Sequence, residues 1–233
     1  MLKCDALWLK QTLSRFSNEE LSPVLNLGSS TAKFRKVHQP FIDELIFAPL
    51  AARGVEVIHV DIKAADGVDI SADILTDAGL EEVRKRAPKS LICTHVFEHL
   101  VEREPFADRL IKMLPVGGLF FVSVPSSYHQ HNDPIDTMYR PSPDQLAELF
   151  PGQAILDKRS LVGDNYWSHV RRRPVTLFFR HFFRFFIPFL GLNQWKRSMR
   201  KLYWLYNNYK VAAIVGRKVV EEPTAARGVA AAG

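Results

Sequence analysis

Cysteine is almost missing from this 233-residue chain; Cys4 and Cys93 are the two. Thiols so far apart form neither a disulfide framework nor a C-x-x-C metal or redox motif. Cys93 sits in an apolar run and reads as a core residue. No uncharged apolar run approaches the ~20 residues that a membrane-crossing helix needs. Lys3, Asp5 and Lys10 interrupt the start of the chain, where a signal peptide would carry a long apolar core. Glycine is also scarce where a nicotinamide-binding fold would need it. The fingerprint G-x-G-x-x-G is absent, which argues against a dehydrogenase. Acidic residues are missing from one whole window: between Asn165 and Val220 there is neither Asp nor Glu, but there are twelve Lys and Arg. The other 19 of the 31 basic residues face all 25 acidic ones, so the rest of the chain carries −6. An acidic body with a basic attachment points to an anionic partner.

What is present reads as alternating strands and helices. Val24-Leu25-Asn26-Leu27 runs straight into Gly28-Ser29-Ser30, a buried parallel strand ending in a tight turn. Glycine at that point lets the backbone turn and a ligand approach closely. Val55 to Val60 reads as a second strand, ending at Asp61, where a carboxylate can accept both hydroxyls of a ribose. Gly28 and Asp61 are 33 positions apart, against ~20 in a dinucleotide fold. A ligand without a pyrophosphate needs fewer glycines. That shifts the expected cofactor from a nicotinamide dinucleotide to S-adenosylmethionine (SAM).

Residues 2–21 read as helix in two pieces, the second opened by the capping box Ser17-x-x-Glu20. A basic loop, Lys33 to His38, precedes a helix from Pro40 to about Arg53, with Gly54 at its end. Val68-Asp69-Ile70 is a short third strand, and residues 77–87 form a helix stopped by Pro88. Leu91 to Val96 is a buried strand, followed by a helix to about Leu114. Leu119 to Val124 is a strand closed by Pro125. A polar loop, Ser126 to Pro141, leads into a helix from Ser142 to Phe150. Strands are expected near 153–162 and 209–217, with the basic, aromatic segment between them. This alternation specifies a doubly wound α/β sheet, mostly parallel, with ligands bound beyond the carboxyl ends of its strands.

On these residues the chain resembles a class I SAM-dependent methyltransferase. Asn26-Leu27-Gly28-Ser29-Ser30 stands at that family's glycine motif, with Asn26 in place of the usual acid and two serines in place of the later glycines. Ala72-Asp73-Ile74 stands at the adenine-contact turn. His95-Val96-Phe97-Glu98-His99-Leu100 matches the segment after the fourth strand, and Leu114-Pro115-Val116-Gly117-Gly118 the turn before the fifth. The resemblance implies a seven-stranded Rossmann-like sheet whose last strand is antiparallel. It also implies a cofactor set of Asn26, Gly28, Ser29, Asp61, Ile62, Asp73, Ile74 and His95. The pattern His131, Asp133, Pro134, Asp136, Tyr139, Arg140, Pro141 is similar to a bacterial branch linked with surface-polysaccharide and glycolipid pathways. The implied reaction is O-methylation of a glycan, glycolipid or related small acceptor.

For an alcohol acceptor, a base must take the proton as the new bond forms. His131 is the candidate, with His129 as its rival, because an imidazole titrates near neutrality. Asp136 or Asp133 would orient it. Arg140 would grip an anionic acceptor, beside His129 and Tyr139. His95 and His99 are four residues apart but lack a third ligand, so no metal site is expected; Glu98 and His99 are read instead as capping the helix start and lining the methionine end of the cofactor site. Two other readings stay open: a non-catalytic protein of this fold that binds membranes or partners, and an RNA methyltransferase. The missing Asn-Pro-Pro-Tyr signature after Thr94 argues against nucleic acid.

The expected organisation is a helical segment at 1–22, a SAM-binding domain at 23–162 plus 209–220, an insertion at 163–208 and a disordered tail at 221–233. Within the insertion, Arg180, His181 and Arg184 share a narrow face of a helix near 176–187, with phenylalanines on the rest. A second helix near 194–207 would set Trp195, Met199, Leu202 and Tyr206 opposite Lys196, Arg197, Arg200 and Lys201. Basic helices of this kind lie on anionic membrane surfaces; a lid over the substrate is the alternative. The expected location is cytoplasmic, with the insertion against the inner membrane face.

Overall fold

The structure is a computed structural model that describes residues 1–130, 135–172, 179, 195–196 and 203–219. Seven strands form one sheet: β1 (Val24–Leu27), β2 (Val57–Asp61), β3 (Ile70–Ser71), β4 (Ser90–Thr94), β5 (Leu119–Ser127), β6 (Ala154–Val162) and β7 (Lys210–Arg217). Their order is β3-β2-β1-β4-β5-β7-β6. β1 pairs in parallel with β2 and β4, β2 with β3, and β4 with β5. β7 runs antiparallel to both β5 and β6. The doubly wound, mostly parallel sheet and its antiparallel last strand agree with the sequence reading.

The sheet is covered on both faces, which explains the unbroken apolar runs of its central strands. On one face lie α1 (Lys3–Leu13) and the helical run that ends in α3 (Ala48–Ala52). They bury Trp8, Leu9, Ile42, Ile46 and Leu50 against Val24, Ile92, Phe121 and Val215. On the other face lie α4 (Asp77–Arg84), α5 (Arg103–Met113) and α6 (Pro143–Ala147). These bury Leu80, Val83, Phe106, Leu110 and Leu146 against Leu25, Leu91, Phe120 and Ile214. The short α2 (Asn18–Leu21) opens on the expected capping box: the Ser17 hydroxyl accepts from Glu20 N, and Ser17 N donates to the Glu20 carboxylate.

Three local readings are corrected. The basic stretch Phe34–His38 is a wide helical turn, not a loop. Thr31 Oγ1 accepts from Phe34 N, and the buried Arg35 side chain ties the turn back to the chain before it. The third strand starts at Ile70 rather than Val68, because Ile70 and Ser71 are the residues that pair with Val60 and Asp61. The fifth strand does not stop at Pro125. It continues to Ser127, because β7 supplies partners past the proline, and the register shifts where the missing N–H breaks the ladder.

Most of the insertion and the whole tail lie outside the described residues. So do His131, Asp133 and most of the two helices expected near 176–187 and 194–207. Two described parts of the insertion, α7 (Tyr166–Arg172) and the segment from Tyr203, meet through Tyr166 N donating to Trp204 O. Among the described residues, no helix is long and apolar enough to cross a membrane.

Candidate active site

The carboxyl ends of β1 and β4 open into a cavity of roughly 670 Å³, roofed by the start of α1 and walled by Tyr128 and Tyr209. The turn after β1 forms its floor. Gly28 has φ +70°, and a Cβ there would lie 2.7 Å from Val96 Cγ2. Only glycine allows the turn after β4 to sit this close. Ser29 is buried, and Ser30 follows in the left-handed region at φ 54°.

This glycine-poor turn is held from outside by Arg35. Its side chain is 4 % exposed. Nη1 donates to the carbonyls of Ser29 (2.8 Å) and Ser30 (2.7 Å), and Nη2 donates to that of Gly67 (2.7 Å). From the other side, Ser30 N donates to Asp61 Oδ2 at 2.8 Å. Beneath the turn, Asn26 Nδ2 donates to His59 Nδ1 at 3.0 Å. Burial, with help from the Arg35 charge, pushes the His59 pKa down to about 4, so the ring is neutral and free to accept.

Across the cavity, β4 ends in a charged cluster. His95 leaves the strand at φ 55°, its N–H donating to Ser123 O. The ring lies between two buried carboxylates: Nε2 is 3.0 Å from Asp5 Oδ2, and Nδ1 is 3.4 Å from Glu98 Oε1. Asp5 and Glu98 are both 0 % exposed. Burial opposes charge on all three groups, yet the pairing wins. The two acids lie below the ordinary carboxylate range, and the His95 pKa lies above the ordinary imidazole value. Glu98 and His99 line the cavity, as read from the sequence, but the Glu98 side chain makes no helix cap. Its side chain turns to His95 and the cavity, while its carbonyl accepts from Thr137 N and Oγ1.

The polar loop after β5 is stitched to this same turn. His99 Nδ1 donates to Ile135 O at 2.6 Å. Arg103 donates to Thr137 Oγ1, and its guanidinium lies 4.2 Å from the centre of the Tyr139 ring. Arg140 binds Asp136 through both terminal nitrogens, at 3.1 and 2.6 Å, and the Asp136 carboxylate is fully buried. The two residues given roles toward a base and an acceptor are thus engaged with each other. His129 stacks on Tyr128 with ring centres 4.2 Å apart.

Of the cofactor set read from the sequence, Asn26, Gly28, Ser29 and His95 line the cavity. Asp61 stands beside it through Ser30. Ile62 is exposed, and Ile74 is packed in the core with α4. Asp73 Oδ1 accepts from Leu75 N and shapes the turn before α4. The sequence reading missed Asp5, Arg35 and His59. Asp5 had a signal: it is a lone acid on the helical stripe otherwise made by Trp8, Leu9 and Thr12. Among the described residues, no three His, Cys, Asp or Glu side chains gather as a metal-ligand set.

No protein-family model and no curated protein matches the sequence. Solved structures do match in fold. One is coclaurine N-methyltransferase bound to N-methylheliamine and SAH: 14 % identity over 91 % of this chain and 72 % of that one, with a TM-score of 0.50. Another is a protein from Galdieria sulphuraria named as a sarcosine dimethylglycine methyltransferase: 11 % identity over 93 % and 85 %, with a TM-score of 0.54. The fold is the Rossmann-like fold of class I SAM-dependent methyltransferases.

Proposed function

We propose that this chain is a SAM-dependent methyltransferase. The observation that carries the reading is the cavity itself. It lies at the carboxyl ends of β1 and β4, with the Gly28 turn as its floor and Asp61 at the adjoining strand end. Asn26, Gly28, Ser29 and His95 would hold the cofactor, and the lack of a Cβ at Gly28 fits close approach of a ligand to the backbone. When bound, SAM supplies a methyl carbon already activated by a sulfonium. The chain then has to hold donor and acceptor in line and keep water out. The buried turn after β4, the rings of Tyr128 and Tyr209 and the roof made by α1 suit that task. For a hydroxyl acceptor, His131 is the proposed base, with His129 as the rival.

The proposed acceptor is an oxygen of a glycan, glycolipid or related small molecule. Its support is the pattern from His131 to Pro141. A location at a membrane face is proposed from the basic window and from exposed aromatics beside it: Trp167 is 51 % exposed, Tyr203 64 % and Tyr206 90 %. Titration calorimetry with SAM and SAH tests the cofactor, and absence of binding by both ends the enzymatic reading. Flotation with anionic and neutral liposomes tests the membrane. Failure to float with either kind at low salt leaves the insertion as a lid.

A further inference from the structure

The side chains of the cluster after β4 meet its two acids unequally. Asp5 and Glu98 bring two carboxylates, and His95 between them brings one imidazolium. Both carboxylates are shielded from water, while the His95 side chain is 16 % exposed, and a buried carboxylate is costly unless a counter-charge or hydrogen bond reaches it. Asp5 Oδ2 takes the good contact at 3.0 Å. Glu98 has only the 3.4 Å approach of His95 Nδ1 to one oxygen. Neither Oε1 nor Oε2 of Glu98 has a hydrogen-bond partner among the described residues, although the side chain is 0 % exposed and lines the cavity. His99 Nε2 is 3.9 Å away, beyond hydrogen-bond reach. The α-amine of Met1 lies near the same pair; burial lowers its pKa, while Asp5 and Glu98 act to raise it.

This orphan carboxylate sits opposite a gap in the glycine turn. Asn26 occupies the position where the resembling family carries an acid, and its amide nitrogen donates to His59. The turn holding Glu98 is packed on that same floor, with Val96 in contact range of Gly28. We propose that Glu98 is a binding residue for a positively charged group in the cavity, and that it supplies from β4 the carboxylate that β1 lacks. His95 and Asp5 act as positioning residues that hold Glu98 ionised and aimed. The reading rests on the proposed function for its ligands. Three sources carry the required charge: the sulfonium of SAM, the ammonium of its methionine part, and an amine on the acceptor.

Glu98→Gln keeps the size of the side chain and removes the charge. Calorimetry of wild type and E98Q with three probes separates the sources: SAM, SAH, and 5′-methylthioadenosine, which has neither charge. Loss of roughly 10- to 100-fold with SAM alone assigns the sulfonium, at the scale of a charge-assisted bond. A similar loss with SAM and SAH, but not with methylthioadenosine, assigns the ammonium. Unchanged binding of all three, with loss of methyl transfer to 2-phenylethylamine present in the wild type, assigns an acceptor amine. Glu98→Asp, which keeps the charge, should recover part of the affinity. A thermal melt of ligand-free E98Q checks that the variant is folded before its binding is compared. Unchanged binding and unchanged transfer in E98Q, or equal weakening of methylthioadenosine, overturns the proposal. Absence of wild-type binding to SAM and SAH instead removes the proposed function beneath it.

Discussion

Asn26 and His59 face each other across the first two strands, and the Asn26 amide donates to the neutral His59 ring at 3.0 Å. Phe47 presses edge-on against that ring, with centroids 4.9 Å apart. The pair gives a physical account of an uncommon residue in the glycine motif. A carboxylate at position 26 would favour protonation of a ring that burial and Arg35 keep uncharged.

Asn26→Asp should therefore raise the His59 pKa from about 4 by at least a unit. Proton NMR titration of the imidazole checks it. No movement would mean that the carboxylate is itself protonated or turned away.

His59 also predicts an acid-sensitive limb. The unfolded chain takes up its proton near 6.5, whereas the folded ring resists to about 4. Stability should fall as pH drops through that window. His59→Gln should flatten that part of the stability profile, measured by urea unfolding at pH 7, 5.5 and 4.

His95 predicts the opposite limb. Its folded pKa lies above the ordinary value, so its contribution is complete below about 6.5 and is lost as pH rises through the folded pKa. His95→Asn should cost most at pH 6, and the gap to wild type should narrow at alkaline pH. A gap independent of pH would assign His95 a packing role alone.

Arg35→Met should strip the carbonyls of Ser29 and Gly67 of their side-chain donor and leave that of Ser30 with the Ser29 hydroxyl. At one to three kcal/mol for each, the expected loss is about 3 kcal/mol or more. SAM binding should weaken with it, because the left-handed Ser30 then keeps only Asp61 and the Ser29 hydroxyl among its described side-chain partners. Chemical denaturation and calorimetry check the two parts separately.

Gly216 lies under the Phe120 ring, and a Cβ there would overlap it. Gly216→Ala should destabilise by about 1–3 kcal/mol through overpacking. Phe120→Leu in the same chain should recover part of that loss, which a double-mutant cycle measures.

The sheet was legible because its strands are short apolar runs, Leu91 to Cys93 and Leu119 to Val122 among them, punctuated by Gly28, Gly54, Pro88 and Gly118. The antiparallel strand was legible only through resemblance, since β7 alone reads like any buried strand. The site was legible at Gly28, whose small size is visible in the letters. At Glu98 it was legible in part: its place on the cavity was read, but not its pairing with His95, because a helix-capping acid and a cavity-facing acid share the same spacing. Arg35 was hidden for a similar reason. In a run with Lys33 and Lys36, nothing local marks which cation will be buried; that depends on Gly67, 32 residues later.

Because β7 lies between β5 and β6, the two strands that precede it have no ladder to each other. A ribosome delivers β1 to β6 first, and β5 must wait with one edge open until Lys210–Arg217 emerges. β7, the last of the described strands, therefore acts as a keystone. A nascent chain arrested before Lys210 should expose the Phe120–Val124 edge to other chains and depend on chaperones, while release after Arg217 should end that dependence.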